Sequence, residues 1–159
     1  MTLTIGIDPG LSGALAVLSQ SGDVEALADL PVIRDRSLAW IDGGELQRLL
    51  LGALNGRPAR AYIERVSAMP GQGVASSFNF GVGFGSILSI VQAWPLPIEF
   101  VTPAVWKRGL GLGSDKRASL DRARLLFPTA DLGLAKHEGR AEALLIAYWA
   151  AARARAAAA

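Results

Sequence analysis

Two acids late in the chain raise the first chemical question. In KHEGRAEALLIAYW, residues 136–149, Glu138 and Glu142 stand four apart. On a helix that spacing makes them surface neighbours that repel by about 0.2–0.5 kcal/mol. Leu145, Ile146 and Trp149 follow Glu142 at the spacing of one helix face, which puts its carboxylate on or beside the buried stripe. A buried acid needs a partner or a metal. Two readings fit. Either Glu138 complements the positive end of the helix dipole while Glu142 pairs with an arginine such as Arg140 or Arg117, or both acids lie beside a cation. On the second reading, neutralising one acid without metal stabilises the helix end slightly.

Two further acids sit where strands end. In LTIGIDPG, Leu3, Ile5 and Ile7 point to one face and Thr4, Gly6 and Asp8 to the other, with Asp8 just before Pro9 and Gly10. In RAYIER, Ala61 and Ile63 alternate with Tyr62 and Glu64, and a Gly/Pro-rich loop follows. Singly, each reads as a turn or surface residue. Together, four acids on two strand ends and one late helix make an oxygen-ligand cluster, and paired divalent ions in such a cluster activate water and stabilise a leaving oxyanion in phosphoryl chemistry.

The elements that must position them follow from hydrophobic period. Three antiparallel strands are expected near residues 2–8, 13–19 and 23–30. A helix over GGELQRLLLGALN carries Leu46, Leu49, Leu50 and Leu54, and a fourth strand ends at Glu64. VSAMPGQGVASSFNFGVGFGSILSIVQAW is a Gly-rich entry into a helix stopped by Pro95 and Pro97, and IEFVT is a fifth strand. Three helices close the chain, the second with Ser114 as N-cap and Pro128 as stop. The order βββαβαβααα predicts a mixed α/β sheet with helices on its faces.

The chain has 159 residues, no cysteine and one histidine, His137. One domain is expected. A Cys/His zinc site and a cysteine nucleophile are excluded, and a Ser-His-Asp triad would have to use His137. Hard oxygen ligands suit Mg²⁺ or Mn²⁺. The start MTLTIGID has no basic segment before a long apolar run, and Gly and Pro interrupt the apolar stretches, so a soluble cytoplasmic protein without membrane association is expected. The final ARARAAAA, within about residues 151–159, reads as a fraying helix end or tail. Net charge is +2, but Lys107, Arg108, Lys116, Arg117, Arg122, Arg124, Lys136, Arg140, Arg153 and Arg155 all fall in the last third. Clustered cations favour a polyanionic partner; solvated helix faces are the alternative for Arg122, Arg124, Arg153 and Arg155.

IGIDPGLSGALAVL, YIERV, MPGQGVASSFNFGVGFG, TPAVWKRGLGLGSDKRASLDRARLLFP and KHEGRAEALLIAYW resemble, in this order and over nearly the whole chain, the RuvC-type Holliday-junction resolvases, closest to the shorter RuvC-like proteins of phages and mobile elements. The resemblance implies a ribonuclease-H-like fold, a mixed five-stranded sheet flanked by helices, within a single nuclease domain over 1–159. It implies metal ligands at Asp8, Glu64, Glu142 and Glu138, two Mg²⁺ (Mn²⁺ substituting), a homodimer, and cleavage of four-way DNA junctions that leaves 5′-phosphates. In many such resolvases the last-helix pair is two aspartates three apart, whereas Gly139 stands three before Glu142 here. Glu138 takes the fourth place, with His137 as the substitute. Lys107 and Lys116 match the family's basic pair and would contact the scissile phosphate or its neighbours, Lys116 also steadying transition-state charge. Arg108 and Arg140 extend that basic surface. The aromatic residue that well-studied bacterial resolvases place three beyond the glutamate is Ser67 here, leaving Met69, Phe78 and Phe80 as stacking candidates and core packing as the alternative for Phe78, Phe80 and Phe84. The same chemistry also fits other branched DNA or RNA–DNA hybrids, and a junction-binding protein that does not cleave is the remaining reading.

Overall fold

The computed structural model describes residues 2–36, 38–65, 67, 71 and 73–158, with the backbone alone at 116 and 158. Alternation at the N-terminus builds β1 (Leu3–Asp8), which pairs antiparallel with β2 (Ala14–Leu18), and β2 pairs antiparallel with β3 (Val24–Asp29). After α1 (Gly43–Leu54), β6 (Ala59–Glu64) joins β1 in parallel, and after α2 (Val74–Gln92), β7 (Ile98–Val101) joins β6 in parallel. The sheet order is β3-β2-β1-β6-β7. This is the mixed five-stranded sheet that the strand pattern predicts.

One element escaped the sequence reading. Between β3 and α1, β4 (Val32–Asp35) and β5 (Leu38–Ile41) form a separate antiparallel hairpin that turns at Arg36, which takes φ 48°. Its strands have four residues each, and it carries none of the Asn-Gly or Asp-Gly pairs that announce tight hairpins.

The sheet separates two cores. Leu3, Ile5, Ile7, Val17 and Ile63 pack on one face with Leu46, Leu50 and Leu54 of α1 and Ile87 and Val91 of α2. Ala14, Ala16, Leu18 and Tyr62 pack on the other with Trp106 of α3 (Pro103–Gly109), Leu120 and Ala123 of α4 (Lys116–Leu126) and a long run of α5 (Glu138–Ala158). Each fully buried large aliphatic contributes about 1.5–3 kcal/mol, which exceeds any surface charge pair on these helices. Packing therefore decides where α5 sits. That helix is apolar on nearly all sides because it lies between the sheet and α4, and its alanines permit close approach.

Two local expectations change. The N-cap of α4 is Asp115, whose Oδ1 accepts from the Arg117 N–H at 2.9 Å, rather than Ser114. Both residue types cap well, and the chain takes extended φ/ψ at 115. The glycines at 81, 83 and 85 do not interrupt the apolar segment: α2 runs unbroken for 19 residues and, by length and composition, is apolar enough to cross a membrane. It is also poorly covered, with Val74, Phe78 and Val82 exposed one turn apart.

Candidate metal centre

The parallel register of β1 and β6 sets Ile7 against Ile63, so Asp8 and Glu64, the next residues, end neighbouring strands at one rim of the sheet. Across that rim α5 brings Glu142, which is 4% exposed. One oxygen from each of Asp8, Glu64 and Glu142 lies within 4.8 Å of the others. Two ionised carboxylates at that separation repel by about 3.5 kcal/mol at an effective dielectric constant of about 20, so the arrangement draws in positive charge. Lys107 supplies one: its Nζ donates to Glu142 Oε1 at 2.7 Å. Beside it on α3, the Trp106 indole Nε1–H donates to Glu64 Oε1 at 2.8 Å. Three convergent hard oxygens with an ammonium already drawn to one of them fit a divalent ion of the Mg²⁺ or Mn²⁺ kind.

Glu142 therefore pairs with Lys107, and neither Arg140 nor Arg117 is its partner. Glu138 opens α5, half-buried, and His137 is buried in the 3₁₀ turn Ala135–His137 with Nδ1 3.8 Å from the Asp131 carboxylate. The mutually close group among the described residues holds Asp8, Glu64 and Glu142 and includes neither of these two. The geometry also explains Gly139. A Cβ there would clash with the Ser12 carbonyl oxygen and lie 3.0 Å from Gly13 Cα and 3.3 Å from Asp8 Oδ2. The start of α5 is seated on the turn after β1, and an aspartate three before Glu142 has no room.

Arg140, expected on a nucleic-acid surface, is committed elsewhere. Its Nε and Nη2 donate to the two Asp29 oxygens at 2.6 and 2.9 Å, and its Nη1 donates to Asp131 Oδ2 at 2.6 Å. The hydrogen bond from Arg140 holds Asp29 below its ordinary pKa against the opposing effect of burial, and the same bond raises Arg140. This bidentate pair ties the start of α5 to the end of β3. Because the folded Asp29 pKa is depressed, its contribution is complete above the unfolded carboxylate value and is lost as pH falls through the folded one. Arg140→Ala should cost about 1 kcal/mol near neutrality, a figure kept small by the exposure of both carboxylates. The gap in melting temperature between variant and wild type should close below about pH 4. A gap that stays constant down to pH 2 would assign the effect to packing.

The remaining basic and aromatic residues divide by exposure. Lys107 is inside the carboxylate centre, while Arg108 is exposed beside it. Lys116 opens α4, and its side chain, like Met69, lies outside the described residues. Phe78 is 70% exposed, Phe80 is half-buried, and Phe84 packs on the core with its ring 6.1 Å from that of Phe100. Sequence reasoning missed Trp106. The available signal was a tryptophan directly before Lys107 in a short helix that follows the fifth strand, because a buried indole needs an acceptor.

A mixed sheet in this strand order, with helices on both faces and acids at the ends of its central strands, is the RuvC fold, of the ribonuclease-H-like kind. Among solved structures, the chain superposes on T. thermophilus RuvC in complex with a Holliday junction substrate with a TM-score of 0.67 at 19% identity, covering 98% of this chain and 96% of that one. A second Thermus thermophilus RuvC structure gives 0.61 at 19% identity, with the same coverage. In sequence, the chain is 37% identical over 93 residues to the chloroplastic Holliday junction resolvase MOC1 of Chlamydomonas reinhardtii, a match that takes in 56% of this chain and 10% of that protein. The chain thus matches about a tenth of that relative's length. No protein-family model matches it.

Proposed function

We propose that this chain is a metal-dependent endonuclease that resolves four-way DNA junctions. The observation that carries the reading is the convergence of Asp8, Glu64 and Glu142, from two neighbouring strands and the last helix, within 4.8 Å at one rim of a RuvC fold. Likeness to a resolvase at 37% identity supports the choice of substrate. Asp8, Glu64 and Glu142, with Glu138 as fourth ligand from the preceding turn, would hold two Mg²⁺ or Mn²⁺ ions that activate water for in-line attack and stabilise the leaving 3′-oxygen, giving 5′-phosphate ends. The chain's own groups do the rest. Trp106 orients Glu64, and Lys107 neutralises Glu142; with a cation at Glu142, the Lys107 ammonium would be free to pair with a phosphate. Lys107, Lys116 and Arg108 receive the backbone, and Phe78, Phe80 or Met69 receives an unstacked base.

Symmetrical resolution needs two active sites and hence a two-fold pair of chains. The uncovered apolar stripe of α2, flanked by Gly81 and Gly85 with open space before them, is the face we assign to the second copy. Phe78 lies on that stripe, so its assignment to stacking competes with burial between subunits.

The test is cleavage of an end-labelled synthetic four-way junction in Mg²⁺, beside linear duplex, flap and RNA–DNA hybrid, with Asp8→Asn as control and with sedimentation of the free protein. Paired symmetrical nicks in the junction alone, absent in the variant, from a protein that sediments as a dimer, are expected. Preferential cutting of flap or hybrid would overturn the resolvase reading, junction binding without cutting would overturn the nuclease reading, and a monomer would remove the two-fold arrangement.

A further inference from the structure

From its hydrogen bond to Glu64, we infer that Trp106 is a positioning residue of the metal centre, a group that helps to hold one ligand carboxylate in place before any cation arrives. The inference rests on the proposed function to the extent that the centre binds metal.

Trp106 is the largest fully buried side chain, at 0% exposed. Its place follows from the sheet: Glu64 is in register with Val101, the last residue of β7, and α3 begins two residues later at Pro103. The first turn of α3 therefore returns the chain behind the end of β6, and the indole meets Glu64 42 residues back in sequence.

The chemistry of the donor matters. An indole N–H is neutral, donates only and does not ionise. It satisfies one oxygen of a carboxylate that is 7% exposed without cancelling the charge that a cation needs. Lys107 does the opposite to Glu142, since an ammonium at 2.7 Å neutralises that ligand and competes with an incoming ion. One short helix thus carries a persistent donor and an exchangeable one side by side, with the Lys107 Nζ itself 5.1 Å from the Trp106 ring centre. Carboxylates converge here, so loss of the indole donor weakens the hold on Glu64 against its neighbours. Removing an outer partner of this kind weakens metal binding by about 10–100-fold in sites where it has been done.

The experiment is Mn²⁺ binding to free protein, read by electron paramagnetic resonance of the unbound ion, for wild type, Asp8→Asn, Trp106→Phe and Phe127→Leu. Phe127 lies in the same core, edge-on to Tyr148, and controls for lost packing. The expected result is a dissociation constant raised about 10-fold or more in Trp106→Phe and unchanged in Phe127→Leu, with the melting temperature lowered in both. Equal affinity in Trp106→Phe and wild type would overturn the inference, as would a loss that Phe127→Leu reproduces. Wild type that binds no Mn²⁺, or binds it equally after Asp8→Asn, would overturn the metal-site reading itself. Should Trp106→Phe not fold, the wild type answers alone. Of the four indole N–H resonances of this four-tryptophan chain, one should resist hydrogen exchange and shift as Mg²⁺ is added, and that shift should vanish in Glu64→Gln. Four indole signals indifferent to Mg²⁺ would sink the proposal.

Discussion

Glu142→Gln should abolish junction cleavage while leaving junction binding in place. The substitution keeps the shape, exchanges one acceptor oxygen for an NH2 donor and removes one charge from the carboxylate cluster proposed to hold metal. Loss of an outer-shell partner alone costs about 10–100-fold, so loss of a direct ligand should cost about 10³-fold or more. The same change has a consequence for stability. From the sequence, two glutamates one turn apart predict that neutralising either relieves repulsion and stabilises the helix end. The ion pair with Lys107, nearly closed off from solvent at both ends, opposes that gain for Glu142. An amide at 142 takes away the ammonium's nearest counter-charge, a loss of about 3–5 kcal/mol for a buried pair, and at the same time relieves a repulsion of about 3.5 kcal/mol from a neighbouring carboxylate of the cluster, so the two effects nearly offset. Calorimetry without metal should show a melting temperature for Glu142→Gln within about 4 °C of wild type. Undiminished cleavage would remove Glu142 from the centre, and a melting temperature raised by more than this would show that repulsion dominates.

Gly6→Ala should destabilise the fold by a single added methyl. Gly6 lies on the face of β1 that α5 covers, and an added Cβ would collide with the Ala143 carbonyl oxygen and stand 2.7 Å from the Ala147 backbone nitrogen. The obstacle is helix backbone, which cannot rotate away as a side chain can. Overpacking of this kind costs about 3 kcal/mol or more, equivalent to a fall of about 6–12 °C in melting temperature at this chain length. The effect extends to the metal centre, because β1 carries Asp8 two residues on and α5 carries Glu142 one residue before Ala143. Forcing the two elements apart separates two of the three clustered carboxylates. Thermal unfolding measures the first effect and Mn²⁺ affinity below the transition measures the second. A variant within about 2 °C of wild type would show that the helix and sheet are less tightly seated than this contact requires.

Asp8, Glu64 and Glu142 could be singled out in the sequence because each stands at a break in a local pattern. Period-two alternation put Asp8 and Glu64 on defined faces at strand ends, and helical spacing put Glu142 against the buried stripe. The five strands of the main sheet, the helices and the concentration of positive charge were legible for the same reason, since backbone preference and side-chain facing are properties of neighbouring residues. The partners were not. Lys107 reaches Glu142 across 35 residues, Trp106 reaches Glu64 across 42, and Arg140 reaches Asp29 across 111. Such contacts depend on how far α3 turns after β7 and how closely α5 crosses β1. The reason for Gly139 is of that kind too, since only the seating of α5 on the turn around Ser12 and Gly13 excludes a side chain there. Residue types and local periodicity settle which groups have the chemistry and which way their elements face. Which charge meets which follows from the packed fold, because crossing distances are set by close packing summed over whole elements and not by any stretch of chain.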